Sequence, residues 1–101
     1  MNPRFLNIIK SSKPVIVDFY ADWCVPCREI PPVLNEVKRE LKSVKIVKVN
    51  VDKNPFIASS FKVQNLPTVM VFKDGIPQFT VEGVCGADEL KSAVRDQLNC
   101  D

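Results

Sequence analysis

The chain has 101 residues, of which 46% are hydrophobic and 26% are charged, a composition typical of one soluble globular domain and too apolar for disorder. It contains no histidine, which excludes Ser-His and Cys-His nucleophile pairs and the histidine-ligated metal centres of most catalytic zinc sites. The 14 basic residues are scattered among 12 acidic ones, and no long apolar run occurs, so we expect neither nucleic-acid binding nor a membrane span.

The N-terminal segment lacks the apolar stretch and small-residue cleavage site of a signal peptide. If Met1 is the native start, we expect a cytoplasmic protein, and structural disulfides are rare in that compartment. The four cysteines are therefore expected to serve thiol chemistry more than scaffolding.

A short helix followed by a buried strand is predicted at the start of the chain. Asn2-Pro3 indicates a helix start, because asparagine caps the first turn and proline tolerates its first position, and Lys13-Pro14 ends the helix. Residues 15–20 form a nearly continuous apolar, β-branched run, which is typical of a strand buried on both faces. One polar residue, Asp18, interrupts this run.

A long helix and a second strand are predicted next. The helix runs from about Val25 to Lys42, and Pro31-Pro32, early within it, should kink or break it. Residues 44–51 predict the strand. Five apolar residues mark one face of the helix: Ile30, Val33, Leu34, Val37 and Leu41.

A short helix and a hairpin follow. Asn54-Pro55 is another cap-plus-proline start, and this helix ends near Phe61. Residues 68–72 and 76–82 predict strands on either side of Lys73-Asp74-Gly75, in which Asp-Gly is a strong hairpin signal.

The closing helix is predicted from Asp88 to about Leu98, with Leu90, Val94 and Leu98 on its buried side. The predicted order is therefore α-β-α-β-α-β-β-α. A βαβ unit followed by a helix and a hairpin gives an α/β fold, with a mixed four-stranded sheet and helices on both faces.

The chemistry of the chain is concentrated in Ala21-Asp22-Trp23-Cys24-Val25-Pro26-Cys27. Two cysteines separated by two residues at a strand-to-helix junction indicate a redox pair, because first-turn N–H groups and the helix dipole stabilise a thiolate there. A thiolate attacks disulfides, and the second thiol resolves the mixed disulfide. The alternative is a zinc site, which would need Cys85 and Cys100 as further ligands at a poor spacing, so the redox pair is favoured.

Several separated motifs agree with a known family. Residues 17–27, Val-Asp-Phe-Tyr-Ala-Asp-Trp-Cys-Val-Pro-Cys, are followed by Lys48-Val-Asn-Val-Asp52, Leu66-Pro67-Thr68, Phe72-Lys-Asp-Gly75 and Gly83. In this order and spacing, from about residue 14 to 98, the chain resembles the thioredoxin family. The resemblance implies a single thioredoxin domain over residues 1–101. It also implies a thiol–disulfide oxidoreductase that reduces protein disulfides and carries electrons in cell redox homeostasis.

The resemblance also assigns roles to individual residues. Cys24 would be the exposed attacking thiolate and Cys27 the buried resolving thiol. Asp18 would transfer a proton to and from Cys27, and its burial should raise its pKa towards neutrality; the alternative is an Asp18 that caps a loop or faces water. Lys48 would be the partner of Asp18, or else a solvated strand lysine.

A docking rim for substrate proteins is also implied by the resemblance. Pro67 would be a cis-proline opposite the disulfide, with a trans-proline at the strand start as the alternative. The residues of the rim would be Trp23, Val25, Pro26, Leu66, Pro67, Gly83 and Val84.

The resemblance also implies the redox group and the partners. The redox group would be the Cys24–Cys27 disulfide with no cofactor and no metal. The partners would be thioredoxin reductase and disulfide-containing proteins, and the protein would be a monomer.

The chain departs from the family pattern at four places, and one of them, Tyr20 in place of a common tryptophan, is a modest change. Val25 replaces a common glycine and leaves the reduction potential and the choice of partners open. Glu82 stands where an apolar rim residue is frequent, and it either biases partners or points to solvent. Only about a dozen residues precede Pro14, so we expect the usual N-terminal strand to be missing and one sheet edge to be unprotected.

The two remaining cysteines, Cys85 and Cys100, lie outside the motif. Cys85 is expected to be a buried or semi-buried packing residue, with a regulatory or intermolecular thiol as the alternative. Cys100 is expected to be an inert thiol in the tail, with a dimer cross-link formed on oxidation as the alternative. Two other functional classes compete with a disulfide reductant. They are an oxidase or isomerase in an oxidising compartment and a non-catalytic binding module. A glutaredoxin is disfavoured because the Trp-Cys-x-Pro-Cys pattern and the buried Asp18 are thioredoxin features.

Overall fold

The computed structural model describes residues 3–98 of the chain. The predicted cap at Asn2 and the predicted tail cysteine Cys100 lie outside the described residues.

Within residues 3–98, four helices and four strands follow one another in the predicted order. The helices are α1 (Pro3–Ile9), α2 (Ile30–Glu40), α3 (Pro55–Ser60) and α4 (Ala87–Leu98). The strands are β1 (Val15–Tyr20), β2 (Lys45–Asn50), β3 (Thr68–Lys73) and β4 (Ile76–Glu82). The observed bounds differ from the predicted ones by a residue or two at most ends.

The four strands form one mixed sheet in the order β2-β1-β3-β4. β1 is parallel to β2 and antiparallel to β3, and β3 is antiparallel to β4. Along the described part of the chain β2 pairs with β1 alone, so its outer edge is open, as the sequence predicts. Lys45 and Lys48 are exposed on this strand, and charged side chains discourage edge-to-edge pairing.

The sheet separates two apolar layers, and successive residues of β1 pack into different ones. Ile16 packs with α2 and α4, whereas Val15, Val17 and Phe19 pack with α1 and α3. Because β1 contributes to both layers, its side chains are buried on both faces. By this alternation Asp18 lies on the same side of the sheet as Ile16, which is the side of α2.

The predicted long helix is broken. Residues Pro26–Glu29 form a 3₁₀ turn, and α2 begins only at Ile30. Pro31 and Pro32 then fall in the first turn of α2, where a missing N–H costs no helical hydrogen bond. The prolines therefore mark the junction between the two helical segments, in agreement with the predicted break.

Two local predictions are wrong. Leu98 is not on the buried side of α4 but 44% exposed. At this end α4 meets a polar group, since Lys73 Nζ donates to the Gln97 carbonyl at 3.0 Å. Asn54 precedes α3 but makes no side-chain cap; its Nδ2 donates instead to the Asn50 carbonyl at 3.0 Å, a bond that holds the turn after β2.

Candidate active site

The two cysteines of the motif lie between the end of β1 and the start of α2. The Cys24 N–H donates to the Ala21 carbonyl at 3.1 Å, which turns the chain after the strand. Cys24 and Cys27 form a disulfide with their Cα atoms 5.4 Å apart. The Cys27 N–H donates to Cys24 Sγ at 3.2 Å. A backbone donor is therefore already directed at this sulfur, and such a donor stabilises a thiolate on it.

The expected contrast between an exposed Cys24 and a buried Cys27 is not observed. Cys24 is 4% exposed and Cys27 6%. In this oxidised form the Cys24 sulfur is bonded to Cys27 and lies in a small cluster with Ala21, against which Tyr20, Val51 and Leu66 pack. Exposure of whole residues therefore does not distinguish the two sulfurs in the disulfide.

Asp18 lies in β1 and is 2% exposed. Its Oδ1 is buried, and no side chain or backbone group of residues 3–98 is hydrogen-bonded to it. Burial raises the pKa of this carboxyl to about 6, and the positive charge of Lys48 opposes the rise. The predicted direction of the shift is confirmed, and the alternative of a solvent-facing Asp18 is wrong.

Lys48 is placed beside Asp18 by the sheet. In the parallel pairing of β1 and β2, Lys48 lies directly opposite Asp18, so both side chains point to the same face. Lys48 is exposed at the open edge, and it also lines the cleft that contains Asp18. It is therefore a solvated strand lysine and an electrostatic neighbour of Asp18 at the same time.

A cleft of about 290 Å³ joins the buried carboxylate to the disulfide. Its walls combine the end of β1, the motif and the start of α2. Five of its lining residues were not singled out as site residues by sequence reasoning: Tyr20, Ala21, Asp22, Arg28 and Pro31. The full lining is Asp18, Tyr20, Ala21, Asp22, Cys24, Cys27, Arg28, Pro31 and Lys48.

The predicted docking rim is formed by three separate loops. Trp23 is 69% exposed and Val25 65%, and Pro26 is also exposed. Leu66 is half-buried and Pro67 is buried, and the peptide bond between them is cis, as expected.

The third loop of the rim follows β4. The Gly83 N–H donates to the Pro67 carbonyl at 2.7 Å, which joins this loop to the one that precedes β3. Gly83 has a φ of 93°, a conformation that glycine adopts without strain. Val84 is exposed beside it. The fold therefore brings the predicted rim residues together on the surface around the disulfide.

Trp23 is held by a residue that sequence reasoning missed. Its Nε1–H donates to Asp52 Oδ2 at 2.9 Å, across 29 positions of sequence. Asp52 is itself fixed in the turn after β2, where its N–H donates to Asn50 Oδ1 at 3.0 Å. A groove of about 290 Å³ runs beside the indole. Its lining residues are Trp23, Val51, Val63, Gln64, Asn65 and Leu66.

Glu82, left open by the sequence, is exposed but not isolated. Its Oε2 accepts a hydrogen bond from Asn65 Nδ2 at 3.2 Å.

Cys85 packs in the core beneath α2 and α4, as expected for a packing residue. Burial, together with the charges of Glu89 and Asp18, raises the pKa of its thiol to about 11, which keeps it protonated near neutral pH.

Two further findings concern the described residues alone. In residues 3–98 no three Cys, Asp or Glu side chains lie close enough together to hold a metal ion. No helix in the same part of the chain has the length and apolarity needed to cross a membrane.

Comparisons with known proteins agree with this geometry. The sequence profile of the family named Thioredoxin matches residues 2–96. Thioredoxin 1 of Synechococcus elongatus is 48% identical over 93 residues, which are 91% of this chain and 87% of that protein. The chloroplastic thioredoxin Y1 of Arabidopsis thaliana is 44% identical over 92 residues, 90% of this chain but only 54% of that protein's length.

A solved thioredoxin structure has the same fold as this chain. The crystal structure of oxidised mitochondrial thioredoxin 3 from Saccharomyces cerevisiae superposes with a TM-score of 0.82 at 33% identity. The match covers 92% of this chain and 87% of the yeast chain.

Proposed function

Because this chain belongs to the thioredoxin family and is a thiol–disulfide oxidoreductase, we propose that Cys24 and Cys27 pass two electrons to disulfides of other proteins. The observation that carries the proposal is their disulfide at the start of α2, with the Cys24 sulfur facing a backbone donor and a buried carboxylate lining the cleft below. Residues 1–101 act as a single thioredoxin domain.

Catalysis begins with the reduced pair. The Cys24 thiolate attacks one sulfur of a substrate disulfide, which forms a mixed disulfide and releases the other substrate sulfur as a thiolate. The Cys27 N–H, 3.2 Å from Cys24 Sγ in the oxidised form, stabilises the negative charge on the attacking sulfur. Cys24 therefore acts as the nucleophile.

Resolution requires a second thiolate. Cys27 loses its proton and attacks Cys24 Sγ, which re-forms the Cys24–Cys27 disulfide and releases the second substrate thiol. Asp18 lines the same cleft as Cys27 and has a pKa of about 6, so it is mostly ionised at pH 7 and accepts this proton. Lys48, directly opposite in β2, favours the ionised carboxylate.

Substrate proteins dock on the apolar rim around the disulfide. Trp23, Val25, Pro26 and Val84 are exposed there, and grouped exposed apolar side chains are typical of protein interaction surfaces. Leu66, Pro67 and Gly83 complete the surface through the 2.7 Å bond between Gly83 and Pro67. Docking on this rim brings a substrate disulfide to Cys24.

The proposed function includes a recycling enzyme and a cellular compartment. The redox group is the cysteine pair itself, so the reaction needs no cofactor and no metal. A thioredoxin reductase returns the disulfide to the dithiol, and the protein acts as a monomeric electron carrier in cell redox homeostasis. The proposed compartment is the cytoplasm; the chloroplast, named for the Arabidopsis relative, is the alternative.

The test is an insulin-disulfide reduction assay with dithiothreitol as the electron source. The wild type should accelerate reduction, and Cys24→Ser should abolish the acceleration because no nucleophile remains. Cys27→Ser, the matched control, should accumulate the mixed disulfide, visible on a non-reducing gel. The proposal fails if the wild type is no faster than Cys24→Ser. A redox titration against glutathione then separates a reductant, with a low potential, from an oxidase or isomerase.

A further inference from the structure

Two residues that line the groove beside Trp23 are hydrogen-bonded to carboxylates. Asp52 Oδ2 accepts a hydrogen bond from Trp23 Nε1 at 2.9 Å. Glu82 Oε2 accepts one from Asn65 Nδ2 at 3.2 Å. Trp23 and Asn65 both line the groove, so each carboxylate is one hydrogen bond away from its wall.

Glu82 also joins two segments of the docking rim. It is the last residue of β4 and directly precedes Gly83, while Asn65 directly precedes the Leu66-Pro67 pair. The Gly83 N–H donates to the Pro67 carbonyl at 2.7 Å, so the bond from Asn65 to Glu82 is a second link between the same two loops. Its charge therefore lies at the loops proposed to dock substrate proteins.

The lining of the groove contains no Lys or Arg side chain among residues 3–98. Arg28 and Lys48 line the cleft that contains Asp18, and neither lines the groove beside Trp23. A substrate side chain entering the groove therefore meets apolar and amide groups along its walls, two of which are hydrogen-bonded to carboxylates. This arrangement attracts a long side chain with an apolar stem and a cationic end.

We infer that Glu82 is a specificity-determining residue of the disulfide-exchange reaction, which favours substrates carrying Lys or Arg beside the attacked disulfide. This inference rests on the proposed function, because it concerns which disulfides the reaction accepts. Exposed charge pairs are weak, so one carboxylate should change kcat/KM by about two- to five-fold and not by orders of magnitude.

The hydrogen bond and the charge of Glu82 can be separated. Glu82→Gln keeps an oxygen that accepts from Asn65 Nδ2 but removes the charge. Asn65→Ala removes the bond but keeps the charge. Asp74→Asn makes the same change in net charge at the β3–β4 turn, at the opposite end of the hairpin, and is the matched control.

The experiment measures kcat and KM for two synthetic disulfide peptides that differ only in having lysines or glutamates beside the cysteines. The wild type should prefer the lysine peptide at low salt and lose much of the preference in about 1 M salt, where charges are screened within roughly 3 Å. Glu82→Gln should reduce the preference by about two- to five-fold, more through KM than through kcat. Asn65→Ala and Asp74→Asn should keep it.

The outcomes separate this inference from the proposed function. If the wild type reduces neither peptide, the reductase proposal is wrong. If it reduces both peptides equally well, or if Glu82→Gln keeps the full preference, the role of Glu82 in specificity is overturned. Loss of the preference in Asn65→Ala alone would assign the effect to loop position and would equally contradict a role for the charge.

Discussion

The active-site cleft and the contact between α2 and α4 each bury one charged residue, and they treat it in opposite ways. Asp18 in the cleft is 2% exposed, and its Oδ1 is not hydrogen-bonded to any group of residues 3–98. Lys91 on α4 is also buried, but its Nζ lies 3.0 Å from Glu40, 3.3 Å from Asp88 and 3.9 Å from Glu36. The first charge is desolvated, has no hydrogen bond at Oδ1 and is opposed in part by the exposed Lys48, whereas the second is compensated by three carboxylates.

Both groups have a raised pKa, for opposite reasons. Burial raises the pKa of Asp18 to about 6, because the neutral acid is the form that tolerates desolvation. The hydrogen bond with Glu40 raises the pKa of Lys91, because a paired ammonium holds its proton more tightly. In the proposed mechanism the buried carboxyl without a hydrogen bond at Oδ1 transfers a proton, whereas the paired ammonium of Lys91 holds two helices together.

The largest effect on stability is expected for Asp18→Asn, which removes the buried carboxyl charge. The folded protein binds the Asp18 proton more tightly than the unfolded chain, with a pKa of about 6 against 3.8, so wild-type stability falls as the pH rises through this window. At pH 8 the substitution should therefore raise the free energy of unfolding by up to about 3 kcal/mol. Well below pH 3.8 the difference should vanish, because the carboxyl is then protonated in both the folded and the unfolded state.

The measurement is denaturant unfolding of the two oxidised proteins at pH 8 and at about pH 3, with the exposed Asp22→Asn as the control. The same Asp18→Asn protein should resolve the mixed disulfide more slowly and lose the pH dependence near 6 from its rate profile. Unchanged or lower stability at pH 8 would show that Asp18 is compensated after all. An unchanged rate profile would remove Asp18 from the mechanism.

The second test is Lys91→Met, which keeps an apolar stem but removes the ammonium group. Three carboxylates then lose their cation, so the thermal midpoint should fall by a few degrees at neutral pH, opposite in sign to Asp18→Asn. The loss should shrink at high salt, since Glu36, Glu40 and Asp88 are partly or fully exposed.

The stabilisation by Lys91 is lost at high pH. A raised lysine pKa means that the stabilisation is fully present below pH 10.5, the ordinary value, and is lost as the pH rises through the higher folded value. Calorimetry of Lys91→Met and Arg95→Met, the latter removing only the 3.5 Å contact with Glu40, measures the difference. Equal midpoints for Lys91→Met and the wild type would contradict a stabilising role for Lys91.

The smallest effect is expected for Lys48→Gln. Lys48 favours the ionised form of Asp18, so its removal should move the pKa of Asp18 further above 6. The shift should be small because Lys48 is exposed and water screens its charge. A titration of the Asp18 carboxyl by NMR measures it, with Lys45→Gln at the start of the same strand as the control. A downward shift would contradict the electrostatic coupling.

Local patterns in the sequence predicted most of the fold and the reacting atoms. The apolar run of residues 15–20 predicted a strand buried on both faces, and Asp18 stood out because it is the one polar residue within it. The spacing of Cys24 and Cys27 before the helical segment predicted the disulfide that the structure contains. Each of these signals lies within a few neighbouring residues.

Contacts between distant residues were not predictable in the same way. The bond from Trp23 to Asp52 spans 29 positions, and the contact of Arg95 with Glu40 spans 55. Leu98 continued the helical pattern of Leu90 and Val94 but extends beyond the apolar layer, so periodicity alone misplaced it. No local pattern reports what a helix meets at its far end.

The order of the elements, the cysteine pair and the polar residue within β1 are readable from local stretches of the chain, because side-chain periodicity and helix-start chemistry are local properties. The surroundings of these groups depend on contacts between distant residues. Strand pairing set Lys48 opposite Asp18, packing left Asp18 Oδ1 without a hydrogen-bond partner within residues 3–98, and a loop contact joined Glu82 to Asn65. The pKa of a carboxyl and the selectivity of a surface depend on neighbours in space, which the chain acquires only by folding.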